Sequence, residues 1–141
     1  MKILRESDTR VEYKFNGNTN VTRINEEDEE HIENLIKFND EFNQFMKSIG
    51  SKARGRIAEV YWDFGAKEVW VTQIIDYTDS KGRSGGFQSL TPGEHSMIDR
   101  GDYTFVAESL NDYPDTYNLS PEQLANLNET GPAKFGFGGK Y

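Results

Sequence analysis

Apolar residues recur in steps of three and four from Ile32 through Leu35, Ile36, Phe38, Phe42, Phe45 and Met46 to Ile49, the spacing of one helix face and of no strand. The pattern predicts a long amphipathic helix over 25–50. Asn25 is placed to accept hydrogen bonds from free amides of the first turn, and Glu26, Glu27, Asp28, Glu29 and Glu30 set negative charge where the helix dipole is positive. Lys47 in the last turn and Gly50 at C′ mark the end, with Lys52, Arg54 and Arg56 beyond it. About 24 residues rising ~1.5 Å each make a rod of roughly 36 Å, enough to cross a small domain.

Around this helix the period changes to two. Val11, Tyr13 and Phe15 alternate with Glu12 and Lys14, Asn16-Gly17-Asn18-Thr19 has turn chemistry, and Val21 to Ile24 resumes an extended pattern, which together predict a hairpin. A second hairpin follows. Ala58, Val60, Trp62 and Phe64 share one face, Gly65, Ala66 and Lys67 turn, and the return arm Glu68 to Tyr77 is apolar on both faces at several positions, as a central strand under the helix would be. The aromatic face of 58–64 is the expected floor for Phe38, Phe42 and Phe45. From Thr78 to Gly101 the periodicity dissolves into a loop of ~24 residues, a length typical of functional loops. Tyr103, Phe105 and Ala107 alternate as a further strand, and Ser120-Pro121-Glu122-Gln123 opens a short helix ending near Asn128. The expected fold is α+β: an antiparallel twisted sheet of about four or five strands, one long amphipathic helix packed on one face and a short C-terminal helix. A single domain over 1–131 and a Gly/aromatic tail over 132–141, either flexible or laid onto a groove, complete the organisation.

Composition excludes more than it identifies. The chain has no cysteine, which removes disulfides, thiolate nucleophiles and Cys-based metal sites and fits a reducing, cytoplasmic setting. The opening MKILRESDTR is expected to be neither signal peptide nor anchor, and no apolar run nears the ~18 residues of a membrane span. A net charge of −8 argues against direct nucleic-acid contact, where Lys and Arg on phosphates dominate affinity, and against an anionic membrane surface. It favours a basic partner.

The sharpest chemistry lies on the polar side of the long helix. At about 100° per residue, Glu26, Glu29, Glu30, Glu33, Asp40 and Glu41 fall within a sector of about 120°, interrupted by Lys37. Over ~22 Å of axis this is roughly one carboxylate per 4 Å, close to the ~3.4 Å phosphate repeat of a DNA strand. Such a row imitates a nucleic-acid backbone and suits the basic cleft of a nucleic-acid-binding enzyme; the simpler alternative is a solvated face that complements the dipole. Glu108, Asp112 and Asp115 are candidates to extend the row. Phe135 and Phe137, with Tyr141, are expected to supply an apolar anchor for the partner or for another copy of the chain.

Two polar residues interrupt the apolar stripe: Asn39, which needs a hydrogen-bond partner if buried, and His31, expected to form a surface ion pair with the carboxylates beside it. The 78–101 loop offers a different chemistry. Lys81 and Arg83 suit a small anionic ligand, while Glu94-His95 with Asp99 provides an imidazole and carboxylates for general-base work. No metal site is expected, since with two histidines and no cysteine it would need His95 plus carboxylates, which suits calcium poorly and zinc only weakly, and no cofactor is expected, since the Gly-rich segments lack the Gly-Lys-Ser/Thr ending of a phosphate loop. Asn-x-Ser/Thr triplets at Asn20, Asn118 and Asn128 and the tripeptide Arg100-Gly101-Asp102 are read as composition. The leading expectation is a non-catalytic acidic interaction protein, an inhibitor of a basic partner of the kind viruses and mobile elements encode. The alternatives are a ligand binder or enzyme built on the 78–101 loop and a structural subunit of a larger assembly.

Overall fold

A computed structural model describes the backbone of residues 2–6, 10–14, 21–63 and 68–138, and the side chains of 30–58 and 72–138. The turns expected at 16–19 and 65–67, together with Phe15, Phe64 and Tyr141, lie outside the described residues. The fold is α+β. Strands β1 (Lys2–Glu6), β2 (Arg10–Lys14) and β3 (Val21–Asn25) form one antiparallel sheet in that order, and β4 (Arg54–Asp63), β5 (Glu68–Thr78) and β6 (Ser84–Gln88) form another. Described strands thus divide between two three-stranded sheets, where the pattern had suggested one sheet of about four or five.

Helix α1 (Glu26–Ser48) follows β3 without a loop. Its buried positions are Ile32, Leu35, Phe38, Asn39, Phe42, Phe45 and Met46, the stripe that the periodicity marks. It ends in a Schellman motif. Gly50 takes φ 79°, its amide donates to Lys47 O at 3.2 Å, and the Ser51 amide donates to Met46 O at 2.9 Å.

One contact fixes α1 against β4. Asn43 donates through Nδ2 to Gly55 O at 2.9 Å and accepts from Gly55 N at 2.7 Å, so one side-chain amide pairs with a strand-edge peptide as a neighbouring strand would. One turn earlier, Asn39 Oδ1 accepts from Gln73 Nε2 of β5 at 2.8 Å, and Ser89 donates to Gln73 Oε1 at 2.8 Å. The partner that a buried Asn39 requires is therefore present. Gly55 has to be glycine here, because a Cβ would overlap the amide groups of both Gln73 and Asn39.

The C-terminal half differs most from the periodicity. Residues 78–101 are ordered into a hairpin turn, β6 and helix α2 (Pro92–Asp99) instead of one long loop. Thr91 caps α2: its hydroxyl accepts from Glu94 N while Glu94 Oε1 accepts from Thr91 N, a complete capping box with Pro92 at the helix start. The expected strand at 103–107 is helix α3 (Phe105–Asp112), which buries Val106 and Leu110 beside Tyr103. Those three positions are spaced by three and four, a helical repeat that the alternation of Tyr103, Phe105 and Ala107 conceals. Helix α4 (Pro121–Thr130) starts from the Ser120/Gln123 capping box read in the sequence. Asn111 of α3 and Asn128 of α4 exchange two amide hydrogen bonds, at 3.1 and 2.9 Å.

Among the described side chains, the core draws on α1, the second sheet and the C-terminal helices. Ile57 and Ile75 come from the second sheet, and the described aromatic partners of α1 come from the C-terminal third: Phe38 meets Tyr103 and Phe105, while Phe45 stacks on Phe135 with centroids 4.3 Å apart. Phe135 closes a 3-10 turn, Ala133–Phe135, so part of the expected tail is packed into the core.

Candidate functional site

Of the six carboxylates assigned to the polar side of α1, Glu30, Glu33 and Asp40 have described side chains that stand exposed. Glu26 and Glu29 lie in the helix by their backbone, with side chains outside the described set. Glu41 is half-buried. It faces Lys134 Nζ at 3.6 Å and hydrogen-bonds Tyr103, whose hydroxyl is pushed up to about 12 by burial and then by the Glu41 charge. The carboxylate row therefore narrows toward the C-terminal half of the helix, where one of its members is tied to the protein's own chain. Phe135 and Phe137, expected as an exposed anchor, are 1% and 2% exposed and pack against Phe45. Their apolar surface is spent on the core.

The four residues proposed from the 78–101 segment separate. Asp79 opens the turn into β6, accepting from the amides of Lys81 and Arg83 at 2.9 Å each and from Arg83 Nε at 2.8 Å. Burial alone would raise the Asp79 carboxyl, but these donors hold it below the usual range. Arg83 thus has its guanidinium committed to a turn, Glu94 caps α2, and only His95 enters a polar network with distant residues.

That network is a chain of four groups from three elements. Asp99 Oδ1 lies 2.6 Å from His31 Nδ1, His31 Nε2 lies 3.0 Å from His95 Nδ1, and His95 Nε2 lies 3.3 Å from Thr72 Oγ1. Asn34 Nδ2 also donates to Asp99 Oδ1 at 3.3 Å. His31 therefore pairs across to α2, in place of the ion pair expected with carboxylates of its own helix. Protons can be arranged along this chain in either direction so long as the two rings are not both imidazolium, which would set N–H against N–H. Burial, then the charge of His31, lowers His95 from 6.5 to about 4, with Asp99 opposing. The chain ends at Thr72, which is 2% exposed, so it runs into the interior and offers a substrate no open end there. Its chemistry is that of a clamp between α1, α2 and β5. Among the described residues no group of three or more His, Cys, Asp or Glu side chains is disposed to hold a metal.

A cleft of about 380 Å³ opens beside this clamp, between α1, β5, β6 and α3. Phe38, Phe42, Ile75, Phe87, Phe105 and Val106 form its apolar surface. Glu94, Glu108 and Asp112 bring three carboxylates to it, and Ser109 and Tyr117 share a hydroxyl hydrogen bond of 2.7 Å in its lining. Tyr117 is held neutral: burial raises its hydroxyl, the Ser109 bond works against that, and the Glu94 charge adds to it. None of the described lining residues is Lys, Arg or His. Glu108 and Asp112 were candidates to extend the carboxylate row of α1. They line this cleft instead.

The residues missed in the sequence differ in how much signal they carried. Thr91-Pro92-Gly93-Glu94 carries the same capping signature as Ser120-Pro121-Glu122-Gln123, so α2 and the inward side of Glu94 were readable. Nothing local links His31 to His95, which are 64 positions apart. Among the described residues no helix is long and apolar enough to cross a membrane. Set against known proteins, the chain matches no family model, no curated protein and no solved structure.

Proposed function

We propose that this protein is a non-catalytic interaction protein that offers the polar side of α1 to a basic partner surface, in the manner of an inhibitor that occupies the cationic cleft of a nucleic-acid-binding enzyme. The observation that carries this reading is the exposure of Glu30, Glu33 and Asp40 on a helix whose opposite side is fully committed to the core. A 23-residue helix locked at Gly55 and Gln73 is a rigid support, so the carboxylates are presented without an ordering cost at binding. In this reading α1 lies across one face of the β layer with its back to solvent. The net charge of −8 adds long-range attraction that speeds encounter. Catalysis is disfavoured by the histidine chain, whose members do not line the cleft.

The test is binding of a labelled arginine-rich peptide to the wild type and to the triple variant Glu30→Lys, Glu33→Lys, Asp40→Lys. At about 0.2–1 kcal/mol per exposed pair, with repulsion added, reversal is expected to weaken binding at least about tenfold. Equal binding by both proteins overturns the reading.

A further inference from the structure

We infer that the cleft between α3 and the second sheet is a binding site for a small organic cation, an ammonium or amidinium carried on an aromatic or aliphatic body. This site is separate from the α1 surface. At about 100° per residue, Phe38 and Phe42, which line the cleft, point roughly 150° away from the mean direction of Glu30, Glu33 and Asp40, so a ligand in one place does not touch the other. A volume of about 380 Å³ falls within the ~300–1,000 Å³ of small-molecule sites.

Charge complementarity selects the occupant. Glu94, Glu108 and Asp112 line the cleft with no cation among its described residues to neutralise them, so an anion is repelled and a neutral apolar molecule leaves the carboxylates without a counter-charge. The three acids also come from two elements that fix them differently. Glu94 is held by the capping box of α2, with one carboxylate oxygen on the Thr91 amide, while Glu108 and Asp112 are exposed and four apart on α3, hence on one side of that helix. Aromatic rings line the same cleft. Phe87 and Phe105 are partly exposed, and Tyr113, 61% exposed, is the exposed large hydrophobic side chain among the described residues. A cation over such faces gains from the ring quadrupole as well as from the carboxylates, and its apolar body covers the phenylalanines.

The experiment is a titration of the full chain, followed by calorimetry and by amide NMR shifts, with 2-phenylethylammonium and benzamidinium as probes. The neutral 3-phenylpropan-1-ol and the anion 3-phenylpropanoate match them in size, and N-acetyl-lysine methylamide carries the same charge on a peptide. The two small cations are expected to bind with shifts at residues 87–94 and 105–117, and the neutral and anionic probes at least tenfold more weakly. Glu108→Gln with Asp112→Asn, which keeps the helix and its hydrogen-bonding groups, is expected to cost the cations tenfold or more, with Glu129→Gln on α4 as the unaffected control. Equal affinity for the neutral probe, no effect of the double variant, or binding by the peptide-borne lysine alone overturns the inference. The probe comparison on the wild type stands even if the variant folds poorly.

Discussion

Acidification through the range from pH 6.5 to about 4 is expected to loosen the joint between α1, α2 and β5, because the folded protein keeps His95 neutral over that range and the unfolded chain does not. The folded value lies below the unfolded one, so the stabilisation is fully present above pH 6.5 and is lost as pH falls toward 4. Taken whole, the shift from 6.5 to about 4 corresponds to about 3 kcal/mol, and screening of a partly exposed ring brings this to about 2 kcal/mol. Burial of the ring is the main cause, and the nearness of His31, whose Nε2 lies 3.0 Å from His95 Nδ1, adds to it. The assay is urea unfolding at a series of pH values, comparing the wild type with His95→Gln, whose amide can still bond but does not titrate. Carboxylates that titrate in both proteins cancel in the difference. The wild type's advantage over the variant is expected to shrink by about 2 kcal/mol between pH 7.5 and pH 4. A difference that stays flat across that range refutes the argument.

Other consequences follow from packing and hydrogen bonding. Asn43→Ala strips Gly55 of both partners of its outward peptide groups and is expected to cost about 2–4 kcal/mol in urea unfolding, more than the loss of one ordinary hydrogen bond. Phe135→Ala empties a site that is 1% exposed and stacked on Phe45, with an expected loss of about 3–5 kcal/mol; a loss below about 1 kcal/mol would instead place this residue outside the core.

How far the sequence could be read depended on whether a feature was local. Helix α1, its glycine stop and the need of Asn39 for a partner follow from residues within one helix and its ends, and the structure contains the helix and the stop and meets the need from β5. The α+β class followed from the change of period between 32–49 and its flanks. Helix α3 was hidden by coincidence. Alternate residues 103, 105 and 107 are all apolar, as in a half-buried strand, while the buried set Tyr103, Val106 and Leu110 keeps helical spacing. The cleft was not legible at all. Its lining comes from α1, β5, β6, α2 and α3, and only their packing brings Glu94 near Glu108 and Asp112. Phe135 and Phe137 as a partner anchor were misjudged for a related reason: a glycine-rich stretch reads equally as a flexible tail or as one laid onto a groove, and it is the packing, with Gly131 needed where Phe137 leaves no room for a Cβ, that decides between them.

The most direct measurement of the central claim is the salt dependence of arginine-rich peptide binding, compared between the wild type and the α1 triple charge reversal. Exposed carboxylates acting over a Debye length of ~10 Å at 0.1 M predict that wild-type affinity falls steeply as salt rises, while the reversed helix binds weakly with a much shallower dependence. Affinity that is insensitive to salt, or identical slopes for the two proteins, would contradict it.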